Sequence, residues 1–163
     1  MAWTAVGVAL LAGLLVALGP SMGLFSGKRP AELGFALGAF NAGDWRPNWV
    51  SSTAPRDDAK HRVEAFAIDG DHARAWAALE ALIATLPRAR VVTRAPGYLH
   101  VEFASAVMGF VDDAEFALDA SAAAIHVKSA ARLGVRDFGV NRARVESIRK
   151  ALSERLRSSA RPS

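Results

Sequence analysis

Between Tyr98 and Val127 apolar residues recur at every second position, and that alternation constrains the fold of this 163-residue chain more than any other feature. Leu99, Val101 and Phe103 share one face of the segment Tyr98 to Phe103; Ala114, Phe116 and Leu118 share one face of Asp113 to Leu118; Ile125 and Val127 continue the pattern. Successive side chains of a strand point to opposite faces, so a period of two means a sheet with one buried face and one face carrying His100, Glu102, Asp113 and Glu115. Only short loops separate these strands from one another and from a strand at Val91 and Val92 before them: Arg94 to Gly97, Ala104 to Val111 and Asp119 to Ala122. Connections of that length join antiparallel neighbours, since parallel ones need a crossover of about a dozen residues. A loop over 119–122 would set Glu115 opposite His126 and Asp113 opposite Lys128. Such cross-strand pairs contribute ~0.2–1 kcal/mol each, the first of them once His126 is protonated.

Helical patterns flank the strands. A short strand is expected over Arg62 to Ile68, followed by Asp69-Gly70-Asp71 as a turn and N-cap signal. Trp76, Leu79, Leu82, Ile83 and Leu86 then fall on one helical face, which Pro87 ends. Val145, Ile148, Leu152 and Leu156 form a second stripe in a helix starting near Asn141 as N-cap. The order β-α-β-β-β-β-α over residues 61–158 predicts an α+β domain, an antiparallel sheet packed on two helices, helix-grip-like by analogy. Residues 28–60 read as a linker or irregular lead-in with a short apolar segment at Leu33–Phe40, and 159–163 as a disordered tail.

The chain opens differently. Ala2 to Gly19 is an uncharged apolar run, and with Met22 to Phe25 beyond it is long enough to cross a hydrocarbon core of roughly 30 Å. Residues 1–27 are therefore expected to form a transmembrane anchor. A cleaved secretory signal would carry a basic start, which is missing, and Pro20 stands where a small-residue cleavage site would end. The expected partners are the lipid bilayer and, beside it, a membrane protein or a small ligand. Lys28 and Arg29 after the run place the following domain in the cytoplasm by the charge rule.

The net charge of +4 is not a nucleic-acid signature. From Asn141 to Ser163 seven basic residues face only Glu146 and Glu154, which leaves the rest of the chain near neutral. A solvated helix face with a frayed tail explains that run, and no aromatic interleaving accompanies it, so nucleic acid is not an expected partner. The lack of cysteine excludes a disulfide framework, a thiolate metal site and a cysteine nucleophile.

Three patches could carry chemistry. Gly109 to Glu115 gathers Asp112, Asp113 and Glu115, and paired carboxylates can divide acid and base roles. On a strand, however, Asp113 and Glu115 share a face while Asp112 turns away, so a charged sheet face plus a turn carboxylate is the simpler reading. His100 and His126 with Glu102 or Glu115 have the right donor types for zinc but sit on different strands without a tight motif, so neither metal nor cofactor is expected. In the third patch Gly134 and Gly139 let the chain turn back, so Arg132, Asp137, Asn141 and Arg142 are expected to form one polar cluster. Asp137 would pair with Arg132 there, and arginines ahead of a helix N-terminus could grip an anion.

The strings Gly109-Phe-Val-Asp-Asp-Ala-Glu-Phe116, Ile125-His-Val-Lys-Ser129 and Arg132-Leu-Gly-Val-Arg-Asp-Phe-Gly-Val-Asn-Arg142 resemble the bacterial and plastid family known as domain of unknown function 1499. Tyr98-Leu-His-Val-Glu-Phe103 and Pro47-Asn-Trp-Val-Ser-Ser52 extend the resemblance to roughly Asp44 through Leu156. Members often carry a cysteine pair around the latter segment, where this chain has Trp45 and Trp49. The resemblance implies an N-terminal membrane or export segment and no particular activity. It also implies a domain outside the cytoplasm, against the charge rule, so the side of the bacterial inner membrane stays open. The expected function is a membrane-anchored module that binds a protein partner or a hydrophobic or anionic small molecule through a surface that includes Val107, Met108 and Phe110. The alternative is a hydrolase of envelope or lipid material with Asp112, Asp113 or Glu102 as acid and base and Arg132 or Arg142 holding an anion.

Overall fold

The computed structural model describes residues 6–8, 13–14, 23 and 25–159. Its elements are β1 (Phe35–Ala36), β2 (Ala39–Phe40), β3 (Trp49–Ser51), β4 (Phe66–Ala67), α1 (His72–Ile83), β5 (Ala89–Ala95), β6 (Tyr98–Ala104), β7 (Val111–Asp119), β8 (Ala124–Ala131) and α2 (Val140–Ser158). The main sheet runs β3-β8-β7-β6-β5, with β4 also paired to β8, and β1-β2 form a separate ribbon. All these strand pairs are antiparallel.

The period-two segments build the sheet as their pattern requires. Leu99, Val101, Phe103, Ala114, Phe116, Ile125 and Val127 form the buried face, and Leu79, Leu82 and Ile83 of α1 with Val145, Ile148 and Leu152 of α2 close over it. Asp71 caps α1 by accepting from the amides of Ala73 and Arg74. A two-residue turn joins β5 to β6, with Ala95 opposite Tyr98. Pro96 presets a negative φ and Gly97 takes φ +69°, the pairing such a turn favours. Between β7 and β8 the Asp119 carboxylate accepts from the amides of Ser121 and Ala122 and from the Ser121 hydroxyl. The turn therefore begins one residue later than expected, and Glu115 faces Lys128 while Ala117 faces His126. A two-residue shift keeps every side chain on its own face, so the core is preserved while the cross-strand partners change.

The anticipated order of elements needs correction. The stretch read as an irregular lead-in supplies β1, β2 and β3, and β3 extends the main sheet beyond β8. The strand expected over Arg62 to Ile68 shrinks to Phe66–Ala67. The basic face of α2 explains how this region is held: Arg142 donates to the carbonyls of Ala59, Lys60 and Arg62, and Arg149 to those of Glu64 and Ala65 while lying over the Phe66 ring. The charge concentrated in α2 thus clamps a segment that has few backbone partners of its own.

The transmembrane helix is corrected as well. Among the described residues no helix is long and apolar enough to cross a membrane. The run Ala2 to Gly19 falls outside the described residues except for short helical pieces at 6–8 and 13–14. The bilayer partner and the inner-membrane location rested on that span and fall with it. Of the expected tail, Ser159 caps α2 and 160–163 lie outside the described residues.

Candidate functional site

Strand parity sends His100, Glu102, Asp113, Glu115 and Lys128 to the sheet face opposite the helices, and all five are buried. Residues 27–41 lie across that face as a strap. Arg29 donates through Nε and Nη2 to Oε1 of Glu102, the Gly34 amide donates to Oε2 of Glu115 at 2.6 Å, and Lys128 Nζ donates to the Asn41 carbonyl at 2.6 Å. The Phe35 ring stacks on His126 with centroids 5.3 Å apart. At Gly27, held at φ +64°, a Cβ would stand 2.9 Å from the Cβ of Arg132, so glycine is what lets the strap come this close.

Beneath the strap Arg132 is the hub. Its side chain is 5% exposed; Nε donates to Oδ2 of Asp113 at 2.7 Å, and Nη2 donates to Oδ1 of Asp113 at 2.7 Å and to Oε1 of Glu102 at 2.5 Å. Arg90 donates to the other Glu102 oxygen through Nε and Nη2. Burial pushes the Glu102 carboxyl up, but hydrogen bonds from Arg132, Arg29 and Arg90 outweigh it and hold the group down at about 2. Asp113 is likewise held below the usual carboxylate value, burial being outweighed by the bonds from Arg132 and His100. Ionised, Asp113 can only accept, so His100 Nε2, 2.7 Å from Oδ1, carries the proton. Tyr98 donates to Oε2 of Glu115 at 2.6 Å, and burial followed by that carboxylate pushes its phenol up.

Asp112 faces the helices instead. Burial pushes its carboxyl up, although Arg144 Nη2 donates to it at 2.6 Å. The acid and base roles expected for Asp112, Asp113 and Glu102 are therefore corrected. Glu102 and Asp113 are locked as ions by arginine, Asp112 lies across the strand from them, and no pair converges on one reacting atom. Among the described residues no group of three His, Asp or Glu side chains is placed to hold a metal.

The expected cluster at the β8–α2 junction separates into three parts. Arg132 continues the outward parity of Lys128 and Ala130 and so meets Asp113, not Asp137. Asp137 accepts from the amides of Gly139 and Asn141 and from the Asn141 side chain, which settles the helix start at Val140 with Gly139 as N-cap. Fully buried Asn141 donates to the Asn48 carbonyl and accepts from Ser129 and Arg144, joining the residue before β3 to β8 and α2. Arg142 serves the 59–62 carbonyls. Sequence reasoning missed Arg29, Arg90, Asn48, Ser129 and Arg144; the parity of β8 could have redirected Arg132, whereas nothing local marks Arg29.

At this same end of the sheet the β6–β7 loop, the β8–α2 loop and the start of α2 enclose a cleft of about 410 Å³. Phe110, Leu133, Phe138 and Val140 wall it, Asp112 and Arg144 lie at its polar side, and Arg136 lines it without an ion-pair partner among the described residues. Phe138 is 95% exposed and sits at φ +53°, a strained conformation for a residue with a bulky side chain.

A six-stranded antiparallel sheet, the meander β5-β6-β7-β8 with β3 and β4 paired to β8, with two helices on one face and an ion-paired strap on the other, defines an α+β domain. Asn48, Asp112, Asp113, Ser129, Arg132, Asp137 and Asn141, which lie in the strings singled out in the sequence, belong to its two polar networks. A family model described as "Protein of unknown function (DUF1499)" matches residues 44–152, and the chain belongs to that family. No curated protein and no solved structure matches the chain.

Proposed function

We propose that this domain is a non-catalytic module that binds an amphipathic small molecule, with the apolar part between Phe110, Leu133, Phe138 and Val140 and an anionic group at Arg136. The gathering of exposed apolar side chains around one cleft carries this reading. Val107, Phe110, Leu133, Val135, Phe138 and Val140 are all exposed on these two loops and the adjoining helix start. Apolar side chains grouped in this way mark an interaction site, and a cleft of ligand size favours a small molecule over a flat protein contact. The strain at Phe138 supports it further, because it holds an aromatic ring out from the domain where a ligand could cover it.

The probe is 1-anilinonaphthalene-8-sulfonate, an aromatic body bearing one anionic group, titrated into the full-length chain. Saturable one-to-one binding with a blue-shifted emission is expected. Phe138→Ser or Leu133→Ser should weaken it at least tenfold, since a large apolar contact contributes ~1.5–3 kcal/mol. Arg136→Gln should weaken the sulfonate but not the uncharged parent dye. Binding that does not saturate, or that survives both serine substitutions unchanged, would overturn the assignment.

A further inference from the structure

On the strap side of the β6–β7 loop a second cleft, of about 390 Å³, is lined by Arg29, Arg88, Arg90 and Arg132, with Glu102 as the only acidic lining residue among those described. A guanidinium carries five N–H donors, and the hydrogen bonds of these four leave several unspent. Arg29 and Arg90 each use Nε and Nη2 on Glu102. Arg132 uses Nε and Nη2 on Asp113 and Glu102, and Arg88 uses Nε alone, on the Ala104 carbonyl. In all four, Nη1 has no protein partner among the described residues. Among the described residues no buried side-chain nitrogen lacks a partner, so the unpartnered Nη1 of Arg132 is not among the sealed atoms although its side chain is 5% exposed.

Glu102 holds this group of like charges together. Both of its oxygens are covered, Oε1 by Arg29 and Arg132 and Oε2 by Arg90, so its charge is spent inside the cluster while the arginines are fixed in place. Four guanidinium groups against Glu102 and Asp113 leave the cleft cationic. Arg88 adds a second observation: its backbone is held at φ +56°, outside the region that side chains of its kind prefer, next to the strand that carries Arg90. We propose that this cleft binds a tetrahedral oxyanion of the phosphate type, either free or as the end group of a phosphomonoester. Arg29, Arg88 and Arg90 are the direct donors and Glu102 is the positioning residue. Planar guanidinium forks match phosphoryl oxygens two by two, which a cluster of lysines would not do.

Inorganic phosphate titrated into the full-length chain, followed by calorimetry and by phosphorus NMR line width, tests the proposal. Saturable one-to-one binding is expected at constant ionic strength, with acetate and chloride unable to compete at equal concentration. Arg88→Gln, which removes no ion pair, should weaken phosphate at least tenfold while the melting temperature of the free protein stays the same; Arg90→Gln should weaken it similarly. Methyl phosphate separates the two sources: tighter binding than inorganic phosphate assigns a phosphomonoester, and weaker binding assigns the free ion. Phe138→Ser lies in the other cleft and should leave phosphate affinity unchanged, so this site and the apolar one can fail independently. No saturable binding, equal competition by acetate, or full affinity in both arginine variants would overturn it.

Discussion

Replacing Arg132 with methionine removes the guanidinium and keeps most of the stem's volume. The loss falls on two carboxylates that are 8% and 3% exposed at the side chain. Breaking a buried ion pair from one side costs ~3–5 kcal/mol, because the remaining charge keeps its desolvation penalty. Glu102 still has Arg29 and Arg90, whereas Asp113 is left with His100 alone, so the orphan is chiefly Asp113 and the expected cost is about 3 kcal/mol. Unfolding entropy of ~2.1 cal/mol/K per residue over a unit of this size converts that to a fall in Tm of about 10 °C. Adding Asp113→Asn removes the orphaned charge and retains a hydrogen bond to His100. The double variant should therefore recover about 1 kcal/mol or more of what Arg132→Met loses.

Urea unfolding and thermal unfolding of the two single variants, the double variant and the parent, followed by circular dichroism, measure the Tm and the cycle. Its pH dependence has a definite sign. Asp113 is held below its ordinary value in the parent, so its stabilisation is present above that value and fades as pH falls below it. Without Arg132 the buried carboxyl is easier to protonate, so the gap between variant and parent should narrow between pH 7 and pH 4. A Tm change under about 2 °C for Arg132→Met, or costs that simply add, would refute the reasoning.

Asp137→Ala removes the acceptor for the Gly139 and Asn141 amides and should cost about 1–2 kcal/mol, with faster hydrogen exchange at the start of α2. Asp137 and Arg132 do not bond to each other, so Arg132→Met and Asp137→Ala should add within ~0.5 kcal/mol, against the pairing their spacing suggested. Glu102 is held at about 2 against an ordinary 4.5, so its stabilisation is complete above pH 4.5 and is lost as pH falls toward 2. Asp112 has the opposite sign: its raised value makes the ionised form a cost that appears as pH rises through it. At pH 7 Glu102→Gln should accordingly lower Tm more than Asp112→Asn, and the difference should shrink in acid.

The apolar faces were legible because they repeat locally. Leu99, Val101 and Phe103 announce their strand within five residues, and Leu79, Leu82 and Ile83 their helix within one and a half turns. The charged face was legible as a face but not as an interior. His100, Glu102, Asp113 and Glu115 alternate as a solvated surface would, and their cover comes from Arg29 and Gly34, more than seventy positions away. The covering segment has two-residue strands at Phe35–Ala36 and Ala39–Phe40, too short to show any period. The misplaced Arg132–Asp137 pair has a simpler cause. Sequence proximity suggested the contact, while the alternation of β8 sends Arg132 to the strap face and the following turn sends Asp137 to the helix face.

The chemistry of that covered face explains how a segment with so little structure of its own finds one position. An apolar strap on an apolar face could slide with little penalty, since hydrophobic contact is non-directional. Here each anchor pairs a particular donor with a particular acceptor: Arg29 with Glu102, the Gly34 amide with Glu115, and Lys128 with the Asn41 carbonyl. Sliding the strap by one residue would bury Glu102 and Glu115 with those donors displaced, and an unmatched buried charge costs several kcal/mol. The polar face thus fixes register where strand pairing is too short to do so. It also fixes the arginine cleft, because Arg29 reaches that cleft only when the strap sits in this register and Glu102 holds Arg29, Arg90 and Arg132 at once. Closure of the strap and assembly of the cationic cleft are on this reasoning one event, so an anion bound there would stabilise the strap, and a loosened strap would weaken the anion.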